Sequence, residues 1–309
     1  MGHSAVRGPG SQPAAHQAHP ATGMSNRHWG GATLLVLSLG AGTGLAHGQT
    51  MRSFSAARQV HGEINLTATV RLASGRLRLA PGGASLLYHM EMVYDADRFK
   101  PLGIYDPVAG DVVLGLESIG GGGLRVSKAA QLDQAANLVL SPTVDITLDA
   151  RLQAVNAELE LGGMRLVAFT LHNSGSRTVA RFTQPNRVGC SRGEFRAGAA
   201  EFKVSGLGNS RCQTIAFHGG VGTAMLDFSG SWRNDMRLEA SMAAGGLTIK
   251  LPRGLGVRMT TDNFLTILDP QGFIKRNGEY ISPNYKQADR HLDISLKSSL
   301  GQVTVLWID

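Results

Sequence analysis

His89 and Glu91 stand two residues apart in the run Leu86–Val93, which alternates as a strand, so both fall on one face of it. A histidine beside a carboxylate is the elementary unit of acid–base or metal chemistry. The same pair is also an ordinary polar pair on a sheet, and no third group at ligand spacing joins it. Asp95, Asp97, Asp106 and Asp111 lie in loop-like stretches and offer the hard oxygens that calcium takes, without the fixed spacing or glycine turn of a calcium loop. His61, His172, His218 and His291 are scattered with no ligand spacing. No nucleophile elbow, phosphate loop, zinc motif or dinucleotide fingerprint occurs, and Gly120–Gly123 lacks the lysine of a phosphate loop and reads as a turn. The expectation is an absence of catalytic residues, cofactor and metal. A pair of carboxylates within about 10 Å, as glycoside cleavage requires, is not something one sequence displays.

Two other groups carry chemistry of binding or cross-linking. Phe264, Phe273, Tyr280, Tyr285 and Trp307 cluster toward the C-terminus. They form either a mini-core that caps the fold or an exposed aromatic docking patch for a partner or glycan. Cys190 and Cys212 are the chain's 2 cysteines. They serve as a disulfide, or as two buried thiols; a metal pair would lack its third and fourth ligands.

The elements that must position these residues are strands. Of 309 residues, 17% are charged, 6% are aromatic and 40 are glycine, a balance that favours many tight turns over helical packing. Alternating runs are common and helical periodicity is scarce, so the fold class is all-β. A small residue followed by apolar residues two and four places on recurs at Ala157, Ser176, Ala200, Gly222 and Gly245, spaced 19, 24, 22 and 23 apart. Gly75 begins an earlier copy and Gly301 a late one. A period in the twenties means a stacked architecture, with coils of about 22 residues whose equivalent strands pair about 4.8 Å apart. Gly162–Gly163, Asn173, Gly206 to Asn209, Gly219–Gly220 and Gly230 fall where corners need unusual dihedrals. Stacked repeats build surfaces more often than catalytic pockets.

The cysteines test this register. Cys190 precedes Ala200 by ten residues and Cys212 precedes Gly222 by ten, and Phe195 and Phe217 repeat the match. Stacked positions lie within disulfide reach, and an exported protein meets oxidising conditions. The chain divides into 1–48, a low-complexity extension followed by a signal peptide over about 24–48; 49–140, an N-terminal β region; and 141–309, the repeat domain. The apolar stretch Ala32–Leu45 is short for a membrane span, which needs about 20 residues, and Ala46-His47-Gly48 supplies a small-residue cleavage site with Met24 as the expected start. Arg7 and Arg27 leave with residues 1–48, so 28 bases remain against 23 acids, a net charge of +5. On outward positions bases and acids alternate (Arg76, Arg78, Glu158, Glu160, Glu201, Lys203), which reads as a solvated sheet face or as a weak attraction to an acidic envelope polymer or anionic lipid surface. No basic cluster interleaves with aromatics, so nucleic acid is not an expected partner.

Gly219–Gly230, Leu251–Arg258, the Ser282-Pro283-Asn284-Tyr285 segment and the closing Leu300–Val305 strand resemble the toast-rack domains, which include the C-terminal domain of LiaF-like proteins of the bacterial cell-envelope stress response. The resemblance covers about 141–309. It implies a single-sided, right-handed β-helix (a β-solenoid), a binding or sensing role in the envelope, and no catalytic residues. This chain lacks the multi-helix membrane region of LiaF and has a signal segment instead. The combined expectation is a non-enzymatic, exported module, periplasmic or extracellular. Its partner is an envelope protein or cell-wall polymer, and no transmembrane span remains after signal cleavage. A polysaccharide-active β-helix enzyme and an adhesin-like surface protein are the alternatives.

Overall fold

The computed structural model of the protein describes residues 50–119 and 134–309. The expected signal peptide, the extension before it and the Gly120–Gly123 turn lie outside the described residues. In chain order the strands are β1 (Met51–Gln59), β2 (Asn65–Pro81), β3 (Leu86–Asp95), β4 (Phe99–Asp106), β5 (Asp111–Ser118), β6 (Ala135–Leu140), β7 (Asp145–Glu160), β8 (Leu166–Gly175) and β9 (Thr178–Arg181). There follow β10 (Cys190–Ser205), β11 (Cys212–Asp227), β12 (Met236–Pro252), β13 (Gly256–Asn263), β14 (Thr266–Asp269), β15 (Ile274–Arg276), β16 (Glu279–Ile281) and β17 (His291–Ile308). The fold is all-β among the described residues, apart from one short 3-10 turn at Leu207–Ser210.

The long strands form one parallel ladder of rungs. β2 pairs with β7, β7 with β8 and β9, these with β10, then β10 with β11 and β11 with β12. The final strand β17 lies on β12, and the excursion strands β13 and β14 pair with its other edge. The excursion therefore supplies the outermost rung, and the chain returns to insert its last strand beneath it. The β2–β7 ladder, from Asn65 opposite Asp145 to Leu79 opposite Leu159, runs across residue 140, and Gly48–Asp309 forms one unit.

Each rung bends at a corner column. Ala200, Gly222, Gly245 and Gly301 stack directly, as the repeat predicts. The early copies need correction: Gly75 pairs with Val155, while Ala157 pairs with Thr178, so the Ala157 anchor is two residues out of phase. The corner demands glycine for two reasons at Gly245. Its φ is +120°, and a Cβ there would lie 1.9 Å from the backbone oxygen of Gly222 in the next rung. Asn173 and Asn209 act differently from the expected dihedral role. Neither has positive φ. Instead the Asn173 amide donates to the Val155 carbonyl and Thr178 hydroxyl, and the Asn209 amide donates to the Phe182 carbonyl, linking rungs where the ladder turns.

Inward positions repeat every second residue and fill the interior. Ala68, Leu148, Phe169, Gly193, Ile215, Leu238, Ile294 and Met259 form one such column. Large and small compensate where Phe169 meets Gly193: a Cβ at Gly193 would lie 2.3 Å from the Phe169 ring. Phe169, Phe195, Phe202 and Phe217 run through the core with successive ring centroids 5.2, 5.4 and 5.6 Å apart.

The two ends are built differently from the stack. At the N-terminal end, β5 and β6 pair with the two halves of β2, and antiparallel β4, β3 and β1 extend them. A Cβ at Gly103 of β4 would lie 2.8 Å from the Phe54 ring of β1, so the two extensions meet closely there. At the C-terminal end, the β15–β16 hairpin turns at Asn277-Gly278 (φ 49° and 84°) and pairs with β13.

Candidate functional site

Cys190 and Cys212 are directly opposed in the β10–β11 ladder and form a disulfide, with Cα atoms 4.1 Å apart. The residue five places before each core phenylalanine, Phe195 or Phe217, thus ends up at a cross-link, and the alternative of two free thiols is closed. Phe195 and Phe217 pair in the same register.

The five C-terminal aromatics separate into distinct settings. Phe273 and Trp307 have ring centroids 5.2 Å apart, pack on the core, and are pinned by a hydrogen bond from Trp307 Nε1 to the Gln271 carbonyl. Tyr280 packs on the core with the Lys275 ammonium 5.2 Å from its ring. Tyr285 stands edge-on to His291 at 4.8 Å. Phe264 alone is strongly exposed, at 74%, on the bend between β13 and β14, where Leu265, Ile267 and Leu300 are exposed as well.

Around Tyr285 lies the densest polar cluster of this end. The Tyr285 hydroxyl donates to Asp293 Oδ1 at 3.4 Å, and Arg258 Nε donates to the same oxygen at 3.0 Å. His291 Nε2 lies 2.9 Å from the Tyr285 carbonyl, which can only accept, so that nitrogen carries the proton. Nδ1 then faces Asp235 at 3.8 Å. Burial, then the Asp293 charge, pushes the Tyr285 phenol up, and the Asp293 contact raises the Arg258 guanidinium. Tyr285, His291, Asp293 and Asp235, with Gln213, Thr214 and Arg237, line a shallow groove of about 450 Å³. It can hold a small polar molecule, and its hydrogen bonds already tie β13, β17 and the 282–288 turn together.

The other sequence candidates are absorbed locally. His89 Nε2 lies 3.3 Å from Glu91 Oε1 and 3.4 Å from the Ser55 hydroxyl on the exposed face of β3. Asp95 accepts the Asp97 amide, Asp97 accepts the Thr50 amide, and Asp106 accepts those of Val108 and Ala109. Asp111 stands opposite Asp106 at the β4–β5 turn, and Asp97 ties that end of β3 to Thr50, so the four acids serve local turns and one long-range backbone contact without gathering at one point. Among the described residues no three His, Cys, Asp or Glu side chains gather as a metal site, and no helix is long and apolar enough to cross a membrane.

The structure assembles one arrangement that residue-by-residue reading misses. Arg71, Arg151, His172, Arg196, His218, Ser241 and Lys297 are successive partners across the parallel ladder, and all but Ser241 are exposed. Their intervals of 24, 22 and 23 residues from His172 to Ser241 match the repeat and were the available signal. A second outward column pairs Arg78 with Glu158, their charges 3.5 Å apart. Three acids flank the basic column: Asp149, bonded to Arg151; Glu194, which meets Arg196, Arg192 and His218; and Asp262, which stands directly opposite Lys297 on β13.

No protein-family model matches the chain, and no curated protein matches it. Among solved structures, a candidate cell adhesion protein from Clostridium sporogenes aligns over 83% of this chain and 100% of its own, at 14% identity and a TM-score of 0.42. A candidate adhesin from Bacteroides fragilis covers 82% of this chain and 97% of its own at 12% identity and a TM-score of 0.33. One from Parabacteroides merdae covers 85% and 98% at 11% identity and a TM-score of 0.31. At these values the fold family and function of this chain rest on its own residues.

Proposed function

We propose that this protein is an exported, non-enzymatic binding module of the bacterial cell envelope, built as a single-sided, right-handed β-solenoid of the toast-rack kind. The observation that carries this reading is the in-register parallel ladder. Its interior is filled by side chains from rung to rung, so its outward columns are what it offers a partner, on a rigid backbone and at fixed spacing. The Cys190–Cys212 disulfide supports an oxidising compartment, in line with the signal-like segment at 24–48. A link to envelope stress is the finer part of the same reading and rests on the toast-rack resemblance.

The test is to express the chain with its own leader, fractionate the cells, and incubate the purified processed protein with isolated envelope polymers. Export, co-sedimentation with polymer and no release of reducing ends are the expected results. Reducing ends that disappear on mutation of one carboxylate pair would establish the polysaccharide-active enzyme instead. Retention in the cytoplasm, or failure to associate with any envelope fraction, would sink the proposal.

A further inference from the structure

We infer that the column Arg71–Arg151–His172–Arg196–His218–Ser241–Lys297 is a binding track for a linear, carboxylated polysaccharide lying along the stack axis. The inference rests on the binding-module reading above and names its ligand class. Six rung steps separate Arg71 from Lys297, about 29 Å at the ordinary strand spacing of about 4.8 Å. That is the length of a short oligosaccharide, and the row offers it four cations, two imidazoles and a hydroxyl.

Folding energetics do not account for the row. Like charges directly opposite on neighbouring strands destabilise a sheet. The other outward column follows that rule, with Arg78 opposite Glu158. The basic column breaks it at Arg71, which opposes Arg151; Arg196 has no acid opposite it, lying between the imidazoles of His172 and His218. Asp149 and Glu194 relieve the repulsion only in part. They lie two residues from Arg151 and Arg196 on the same strands and bond to their guanidiniums. Arg196 engages Glu194 through Nε, and a guanidinium carries five N–H donors, so most of its fork stays uncommitted. Lys297 stands opposite Asp262 on β13, yet among the described residues neither it nor Arg71 has a carboxylate within ion-pair distance.

The track begins at a groove of about 560 Å³ lined by Arg71, Arg151, His172, Gln153 and Ser174, with Glu117 also on its wall. Cations beside amide and hydroxyl groups suit a chain that carries both carboxylates and hydroxyls. Two other polyanionic partners fit less well. Single-stranded nucleic acid is held by aromatic stacking as well as charge, and the column has no Phe, Tyr or Trp. An anionic membrane surface is gripped by apolar side chains on the same face, and the column has none of these either.

Polygalacturonate is the probe, with dextran as the neutral polymer and single-stranded DNA as the competing polyanion. The protein is expected to bind polygalacturonate at low salt and to ignore dextran. The triple variant Arg71→Gln, Arg196→Gln, Lys297→Gln should bind on the order of tenfold more weakly and show a shallower dependence of affinity on salt, as fewer ion contacts form. A triple of equal charge loss in the other half, Arg76→Gln, Arg78→Gln, Lys203→Gln, should keep its affinity within about twofold, since only distant charge is removed. Circular dichroism and melting temperature establish that both variants are folded. Equal losses in the two triples, no binding of polygalacturonate, or tighter binding of single-stranded DNA overturns the track. If the first triple still captures envelope polymer as well as the unmodified protein does, the track falls and the binding-module reading survives. If the unmodified protein captures none, the wider reading falls first.

Discussion

The rung stack and the N-terminal end solve the same problem by different means. In the stack each residue sits on its counterpart one rung away, so a side chain is acceptable only if the column accepts it. Gly222, Gly245 and Gly301 are stacked at the corner, with a Cβ on either of the last two falling 1.9 Å from the oxygen beneath. At the N-terminal end the strands turn antiparallel, their neighbours differ from pair to pair, and a local polar lock replaces the column. Arg58 Nε lies 3.3 Å from Glu63 Oε1, the Tyr105 hydroxyl donates to the same oxygen at 3.1 Å, and the Arg58 guanidinium stacks 4.3 Å from the Tyr105 ring. Constraint is periodic in one region and confined to a few residues in the other.

The sharpest way to break this contrast is one glycine in each region. Gly245→Val places a β-branched side chain at φ +120° and against the Gly222 backbone, where neither rung can move without the next. A loss of about 3 kcal/mol or more is expected, read as the midpoint of urea unfolding. Gly83→Ala, at the N-terminal end, adds a Cβ that meets nothing within 4 Å and should change stability by less than about 0.5 kcal/mol. Similar midpoints for the two variants would remove the column argument. The next largest effect is the cross-link. Replacing Cys190 and Cys212 by alanine opens a loop with a sequence separation of 22 and should cost about 3 kcal/mol in the chain-entropy account. An unchanged midpoint under oxidising conditions would mean that the ladder holds those rungs without it.

How much of this was legible in the sequence follows from the same contrast. The anchors from Ala200 to Gly301 could be read because inward alternation and corner glycines recur together, and the cysteines share their phase. The phase slipped at the early rungs because Val155, not a small residue, occupies the corner opposite Gly75. The order of the last rungs was not legible: β13 and β17 carry the same alternation, and which of them lies on β12 is a long-range choice that local pattern does not encode. The C-terminal aromatics were found as a group, but only the structure separates the Phe273–Trp307 pair from exposed Phe264. The basic column is hidden in the sequence because Ser241 interrupts it and the excursion sets Lys297 a separation of 56 from Ser241.

The N-terminal lock makes a prediction in pH. The His61 backbone N–H is the main influence holding the Glu63 carboxyl down to about 2 from an ordinary 4.5; burial opposes it, and Arg58 and Tyr105 assist. A carboxyl whose folded pKa lies below its unfolded one contributes stability that is complete above about pH 4.5. That contribution is lost as pH falls toward 2, and is on the order of 2 kcal/mol here. Glu63→Gln should therefore lower stability near neutrality and flatten its dependence between those pH values. Amide exchange should report the change in β1 and β4 before it reaches β11 or β12. Equal acid sensitivity in the unmodified protein and the variant would show that the lock is not what closes this end.

The smallest effect tests the stack's two outward columns against each other. Arg78 faces Glu158, an attractive but exposed cross-strand pair, so Arg78→Gln should cost no more than about 0.5 kcal/mol at low salt. Arg71 faces Arg151, a like charge, so Arg71→Gln should leave stability unchanged or raise it slightly. Both differences should shrink at high salt, where exposed charges are screened. Matched urea titrations at low and high ionic strength read the sign directly. If Arg71→Gln weakens the fold as Arg78→Gln does, an attractive contact holds Arg71, and its place in the column is explained by folding alone. If the signs differ, the protein carries a row of charges that its own fold would be better without, and the reason for that row lies in what binds to it.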